Sequence, residues 1–101
     1  MNPEDLAAYA ARLVNEDRAQ LYGHPLDNLT RAANIWSVIL DVDVTAEQVA
    51  LCMVGMKIAR QVHREQMDNV ADAVGYLLTY GMIQEERARR DRPVNVRAAD
   101  A

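Results

Sequence analysis

The sequence predicts an all-α chain folded as one four-helix bundle, and three observations carry that expectation. Apolar residues recur at helical spacing from Leu6 to Met82. Helix-start signals stand at Asn2-Pro3-Glu4-Asp5 and at Thr45-Ala46-Glu47-Gln48. Neither sustained alternation nor clustered β-branched residues support a sheet, and the sequence contains no internal repeat or low-complexity tract.

The first helix opens with Asn2 as N-cap candidate, Pro3 at the first helical position, and Glu4 and Asp5 placed to complement the dipole. Leu6, Tyr9, Ala10, Leu13 and Val14 carry it to about Leu21, where Tyr22-Gly23-His24-Pro25 stops it. A second helix starts near Leu26 to Asn28 and aligns Leu29, Ala32, Trp36 and Ile39 on one face, with Trp36 expected as the aromatic anchor of the core. Asp41-Val42-Asp43-Val44 is a short connector, and the capping box Thr45 to Gln48 opens a third helix from Ala46 to about His63. That helix is apolar on two faces, Met53-Met56-Ala59 and Leu51-Val54-Ile58-Val62, so it should be central or face a second copy of the chain. The fourth helix, from about Asp68 to Arg89, should turn Val70, Val74, Leu77 and Tyr80 inward. Helices three and four could be continuous, since no glycine or proline lies between Gly55 and Gly75. Residues 1–92 read as a single helical domain and residues 93–101 as a flexible tail.

With 101 residues, half of them hydrophobic, the chain can build one small core. A net charge of -4 and a pI near 5.0 argue against a nucleic-acid partner, because such modules carry a basic footprint. The lone Cys52 excludes an intramolecular disulfide, suits a reducing cytosol, and reads as a packed thiol within Val49–Val54. Met1 to Asp5 lacks a signal-peptide start, and no apolar run approaches the ~20 residues of a membrane span, so a cytoplasmic protein without membrane contact is expected. The run Glu85 to Arg92 nearly neutralises itself and reads as a solvated helix end. Met53, Met56, Met67 and Met82 read as core fillers. Neither a Gly-x-Ser-x-Gly elbow nor a glycine-rich phosphate loop is present, which leaves nucleophilic catalysis without support.

The candidate chemistry lies in two stripes. Lys57, Arg60 and Arg64 share one helical face, and Asp68, Asp72 and Tyr76 share another. A reversal near Gln66 would set Arg64 by Asp68, Arg60 by Asp72, and Lys57 by Tyr76. One reading is an ion-pair network that fixes the register of two helices. The other is a polar cleft in which Lys57 and Arg60 meet phosphate while Asp72 orients Arg60. His24 is either a ligand contact or a turn cap, and Tyr76 with Tyr80 would stack a base or pack the core.

Tyr22-Gly23-His24-Pro25 with Asn28, then Trp36-Ser37, Thr45, Val49-Ala50, Lys57-x-x-Arg60 and Asp68-Asn69-x-x-Asp72-x-x-Gly75-Tyr76 form an ordered set. Over about residues 16 to 80 this set resembles a family of small phage-encoded domains described as MazG-like. The resemblance implies phage origin, a MazG-like bundle, and kinship with nucleotide pyrophosphohydrolases, which hold magnesium with EExxE on one helix and ExxD on the next. Here Asn69-Val70-Ala71-Asp72 stands in the ExxD-like place with asparagine for glutamate, and Lys57-Ile58-Ala59-Arg60 stands where acids would be expected. Loss of the acids removes the cation site and leaves cations for direct phosphate contact. The expectation is therefore a phage accessory protein of an infected bacterial cytoplasm that binds a nucleotide or other phosphorylated small molecule without hydrolysing it. It would act as a homo-oligomer, without a cofactor, through Lys57, Arg60, Arg64, Asp68, Asn69, Asp72, Tyr76, Tyr22, His24 and Asn28. One alternative is a divergent magnesium-dependent pyrophosphohydrolase using Asp68, Asp72 and Glu47 or Glu65. The other is a host-directed module whose surface binds a bacterial protein.

Overall fold

The computed structural model describes residues 1–92, with the side chains of residues 16–20 outside the description; the tail expected at residues 93–101 lies outside the described residues. Helix α1 (Pro3–Arg12) opens as the sequence dictates, with Asn2 Oδ1 accepting from the Asp5 amide at 2.8 Å and Pro3 in the first turn. Its backbone passes through a π-helical stretch, Leu13–Arg18, into the short α2 (Ala19–Tyr22). Gly23 then takes φ 76°, a conformation that favours glycine. The next residue, His24, caps α3 (Pro25–Leu40): its Nδ1 accepts from the Leu26 amide at 3.0 Å, which places the ring proton of a neutral imidazole on Nε2. Tyr22 to Pro25 is thus a stop-and-restart unit in which each residue has a backbone task.

The end of α3 is folded back by Ser37, whose Oγ donates to the Ala33 carbonyl at 2.7 Å and accepts from the Val44 amide at 2.9 Å. Thr45 and Gln48 make both arms of the capping box that opens α4 (Ala46–His63). A break follows, with Arg64 and Gln66 extended, before α5 (Met67–Asp91) begins. Two side-chain amides hold this corner. Gln61 Oε1 accepts from the Gln66 amide at 2.9 Å and from Asn69 Nδ2 at 3.2 Å, and Asn69 Nδ2 also donates to the Arg64 carbonyl at 3.3 Å.

Four helical arms result, with α1 and α2 forming the first, and no strand occurs among the described residues. Helices α4 and α5 form an antiparallel hairpin, α3 packs across both, and α1 lies along α5. The core joins Leu26, Leu29 and Ala33 of α3, Ala46, Val49 and Ala50 of α4, and Ile83 of α5. Several expectations about facing are corrected. Trp36 is half-buried against the edge of this core, and Ile39 is exposed. On α5 the fully buried stripe is Ala71, Gly75, Thr79 and Ile83; of the expected residues Val70, Val74 and Tyr80 are half-buried beside it, Tyr80 against the core, and Leu77 faces outward. At Gly75 the first arm comes close: an added Cβ would meet Val14 Cγ2 of the π-helical stretch at 3.5 Å and the Ala10 carbonyl of α1 at 3.9 Å. Cys52 is exposed rather than packed, as are Met56 and Met67.

The run Glu85 to Arg92 is also more than a solvated end. Arg87 binds Glu47 through two hydrogen bonds of 2.6 and 3.2 Å, and Arg90 grips both oxygens of Asp27 at 2.7 and 2.9 Å. Because α5 is 25 residues long, its last turns reach the first turns of α4 and α3, where those acids also complement helix dipoles. Glu86 completes the cluster by accepting from Arg89 and Arg90.

Candidate functional site

Helix α5 carries Asp68, Asp72 and Tyr76 at four-residue intervals, so the three lie along one face over about 12 Å of helix rise. Each other element contributes opposite that face. Tyr9 of α1 donates its hydroxyl to Asp68 Oδ1 at 3.2 Å. Lys57 of α4 reaches Asp72 Oδ2 at 3.1 Å, with side chains only 12% and 23% exposed. Tyr22 from α2, and Pro25, Asn28 and Leu29 from α3, join Val14, Tyr76 and Thr79 around a cavity of about 340 Å3. Three of the residues read from the sequence, Tyr22, Asn28 and Tyr76, therefore share one cavity although they lie on three elements.

The others are placed elsewhere. Because the chain turns at the Gln61–Asn69 corner, Lys57 faces Asp72 instead of Tyr76, and Asn69 is tied into that corner. Arg60 and Arg64 are exposed on the outer side of the hairpin, where they line a shallow groove with Met56, His63 and Gln66. His24 caps α3 and sets Nε2 3.8 Å from Glu86 in a separate groove. The sequence reading missed Tyr9, Val14 and Thr79. Thr79 follows Tyr76 at helical spacing and could have been found that way; Tyr9 is 59 residues from Asp68, and no local pattern joins them.

The electrostatics follow the geometry. Asp68 beside the Tyr9 hydroxyl, through its charge and then its hydrogen bond, pushes the phenol above its ordinary 10.0, and Asp72 adds in the same direction. Both carboxylates therefore act on one hydroxyl at the outer end of the stripe. The donor set fits magnesium poorly. A lysine ammonium stands against Asp72 where a metal would approach, Glu47 is held by Arg87 at the far end of α5, and Glu65 is exposed in the corner. Among the described residues no three of His, Cys, Asp and Glu gather as a ligand cluster.

What the cavity can hold follows from its lining. Two phenol rings, one carboxamide and one threonine hydroxyl surround apolar Val14, Pro25 and Leu29. Thr79 Oγ1 donates to the Gly75 carbonyl at 2.9 Å and retains acceptor capacity. Such a set suits a flat, polar-edged ring, and the volume lies at the small end of the roughly 300–1,000 Å3 of ligand pockets.

A family model described as Domain of unknown function (DUF6378) matches residues 5–85. The Gene 55 protein of Mycobacterium phage D29 is 34% identical over 87 residues, which cover 82% of this chain and 56% of that protein. The Gene 55 protein of Mycobacterium phage L5 is 38% identical over 69 residues, which cover 66% and 44%. The chain thus spans about half the length of the curated relatives it matches. No solved structure matches it. Among the described residues no helix is long and apolar enough to cross a membrane.

Proposed function

The chain belongs to the DUF6378 family, a phage protein family of unknown function, and we propose that it is an accessory protein that binds a nucleotide or other phosphorylated small molecule without hydrolysing it. The observation that supports this reading is the cavity shared by Tyr22, Asn28 and Tyr76. The ring of the ligand enters between the two tyrosines and pairs its edge with Asn28 and Thr79. Its phosphate lies toward Lys57, whose ammonium is shielded from solvent and exchanges part of its contact with Asp72. Arg60 and Arg64 stand beyond, as an outer cationic surface reached only by an extended phosphate chain. On this reading the MazG-like kinship is one of scaffold, and the protein works in the cytoplasm of an infected bacterium as a homo-oligomer.

One observation favours a second reading. Asp68 and Asp72 stand one turn apart on the same face of α5, and a carboxylate pair beside a nucleotide is what a divergent pyrophosphohydrolase would retain. A thermal-shift screen with mono- and triphosphates, with and without magnesium, separates the two. Binding without hydrolysis raises the midpoint with or without the metal and releases no pyrophosphate, and Tyr76→Ala removes the rise. Magnesium-dependent turnover lost in Asp72→Asn would transfer the conclusion to the enzyme. No shift with any nucleotide, sugar phosphate or inorganic phosphate would refute both and leave a host-directed protein surface as the surviving function.

A further inference from the structure

Helix α4 is apolar on the side that its own chain does not cover. Counting about 100° per residue, Leu51, Gly55, Ile58 and Val62 fall within one narrow arc, on the far side of the helix from the buried Ala46 and Val49. Leu51 is 48% exposed, Ile58 55% and Val62 83%. A Cβ placed on Gly55 would find no atom within 4 Å, so the fold gains no packing from this mid-helix glycine, which is less favourable in a helix than alanine. On one border of the stripe Gln48, Cys52 and Ala59 are uncharged; on the other Val54 is apolar and Glu47 is held by Arg87.

The size of the molecule points the same way. It extends 57 × 39 × 20 Å, with a radius of gyration of 16.3 Å, where a compact domain of this length has about 13 Å. It exposes 7259 Å2, against roughly 5,700 Å2 for a folded monomer of its mass. The surplus is of the size that a standard interface of roughly 800 Å2 per partner could cover, and exposed apolar residues of α3, Ile35, Val38 and Ile39, share in it with the α4 stripe.

We propose that α4 packs antiparallel on α4 of a second copy through this stripe, with Leu51 against the partner's Val62 and Ile58 in the notch left by the partner's Gly55. The spacing makes the stripe self-complementary under a two-fold axis, because 51 pairs with 62 and 55 with 58 about one midpoint, as an isologous contact requires. Glycine opposite isoleucine lets the helices approach to the near end of the usual 8–10 Å separation. This reading is independent of the ligand, since the stripe lies on the opposite side of α4 from Lys57 and the cavity.

Sedimentation velocity across a concentration series tests it. The full chain should be a dimer, and Ile58→Asp and Val62→Asp should each raise its dissociation constant on the order of 100-fold or more, because a charge enters an apolar seam. Val38→Asp, at an equally exposed site on α3 (82%), should leave the dimer intact. Gly55→Leu should weaken the dimer while leaving the helical content of the monomer unchanged. On a Cys52→Ser background, Gly55→Cys mixed with Ile58→Cys should give a disulfide-linked pair that neither gives alone. A monomer at every concentration would overturn the proposal. So would a dimer broken by Val38→Asp and indifferent to Ile58→Asp and Val62→Asp.

Discussion

Gly75 offers a prediction whose sign changes with the size of the substituent. It sits in the buried stripe of α5 where α1 and the π-helical stretch lie against it, and an added Cβ would lie 3.5 Å from Val14 Cγ2 and 3.9 Å from the Ala10 carbonyl oxygen, both ordinary contact distances. Alanine therefore fits. Gly75→Ala should stabilise the chain by about 0.5 to 1 kcal/mol, because it reduces the backbone freedom of the unfolded state without displacing anything. For a chain of 101 residues that corresponds to a rise of about 2 to 8 °C in Tm. Leucine must put three further carbons where Val14, 3% exposed, already packs. Gly75→Leu should cost about 1 to 3 kcal/mol by overpacking. Since Val14 also lines the cavity, the larger side chain should weaken ligand binding as well. Urea unfolding followed by helical circular dichroism reads both variants. A Gly75→Ala protein less stable than the parent by 1 kcal/mol or more, or a neutral Gly75→Leu, would mean that α1 does not lie against α5 as described.

Acid should weaken the clamps at the end of α5. Hydrogen bonds from Arg89 and Arg90 hold Glu86 at about 2, below its ordinary 4.5, and Arg90 and Arg87 likewise lower Asp27 and Glu47. These acids bind protons more weakly folded than unfolded, so stability is full above about 4.5 and falls as pH drops toward 2. A Tm series from pH 6 to pH 2 checks this, and Arg90→Gln should flatten the acid limb; an unchanged limb in that variant would count against the clamp. For the half-buried Lys57–Asp72 pair, a double-mutant cycle with Lys57→Met and Asp72→Asn should give a coupling of about 1 to 2 kcal/mol. Lys57→Met should also weaken a nucleoside monophosphate more than the bare nucleoside, and equal losses for the two would remove Lys57 from the phosphate site.

How far the fold was legible in the sequence depends on how local each signal was. The caps at Asn2 and Thr45, the turn at Gly23, and the all-helical architecture are set within a few residues, and each appears where the spacing placed it. Which residues of α5 are buried most deeply was legible only in part: Val70, Val74 and Tyr80 are half-buried as expected, but Ala71, Gly75 and Thr79, less apolar, lie deeper, and at Gly75 it is the close approach of the first arm that suits the smaller residue. The break after α4 falls where the sequence ends one helix and begins the next, at about His63 and Asp68, and the amides of Gln61 and Asn69 make that corner in place of a glycine or proline. In the candidate site, Tyr22, Asn28 and Tyr76 could be named from the sequence, but their convergence is a product of helix crossing. The cationic stripe read as one unit divides because α4 presents Lys57 to α5 and turns Arg60 and Arg64 away.

The most direct test of the account is to map backbone amide chemical shifts while titrating the chain with a purine and a pyrimidine nucleoside monophosphate. Binding in the cavity predicts saturable shifts at Val14, Gly23, Asn28, Tyr76 and Thr79, smaller ones at Lys57 and Asp72, and little change at Arg60, His63 and Arg64. Shifts confined to the groove of Arg60, His63 and Arg64, or no saturable shift with either nucleotide, would contradict it.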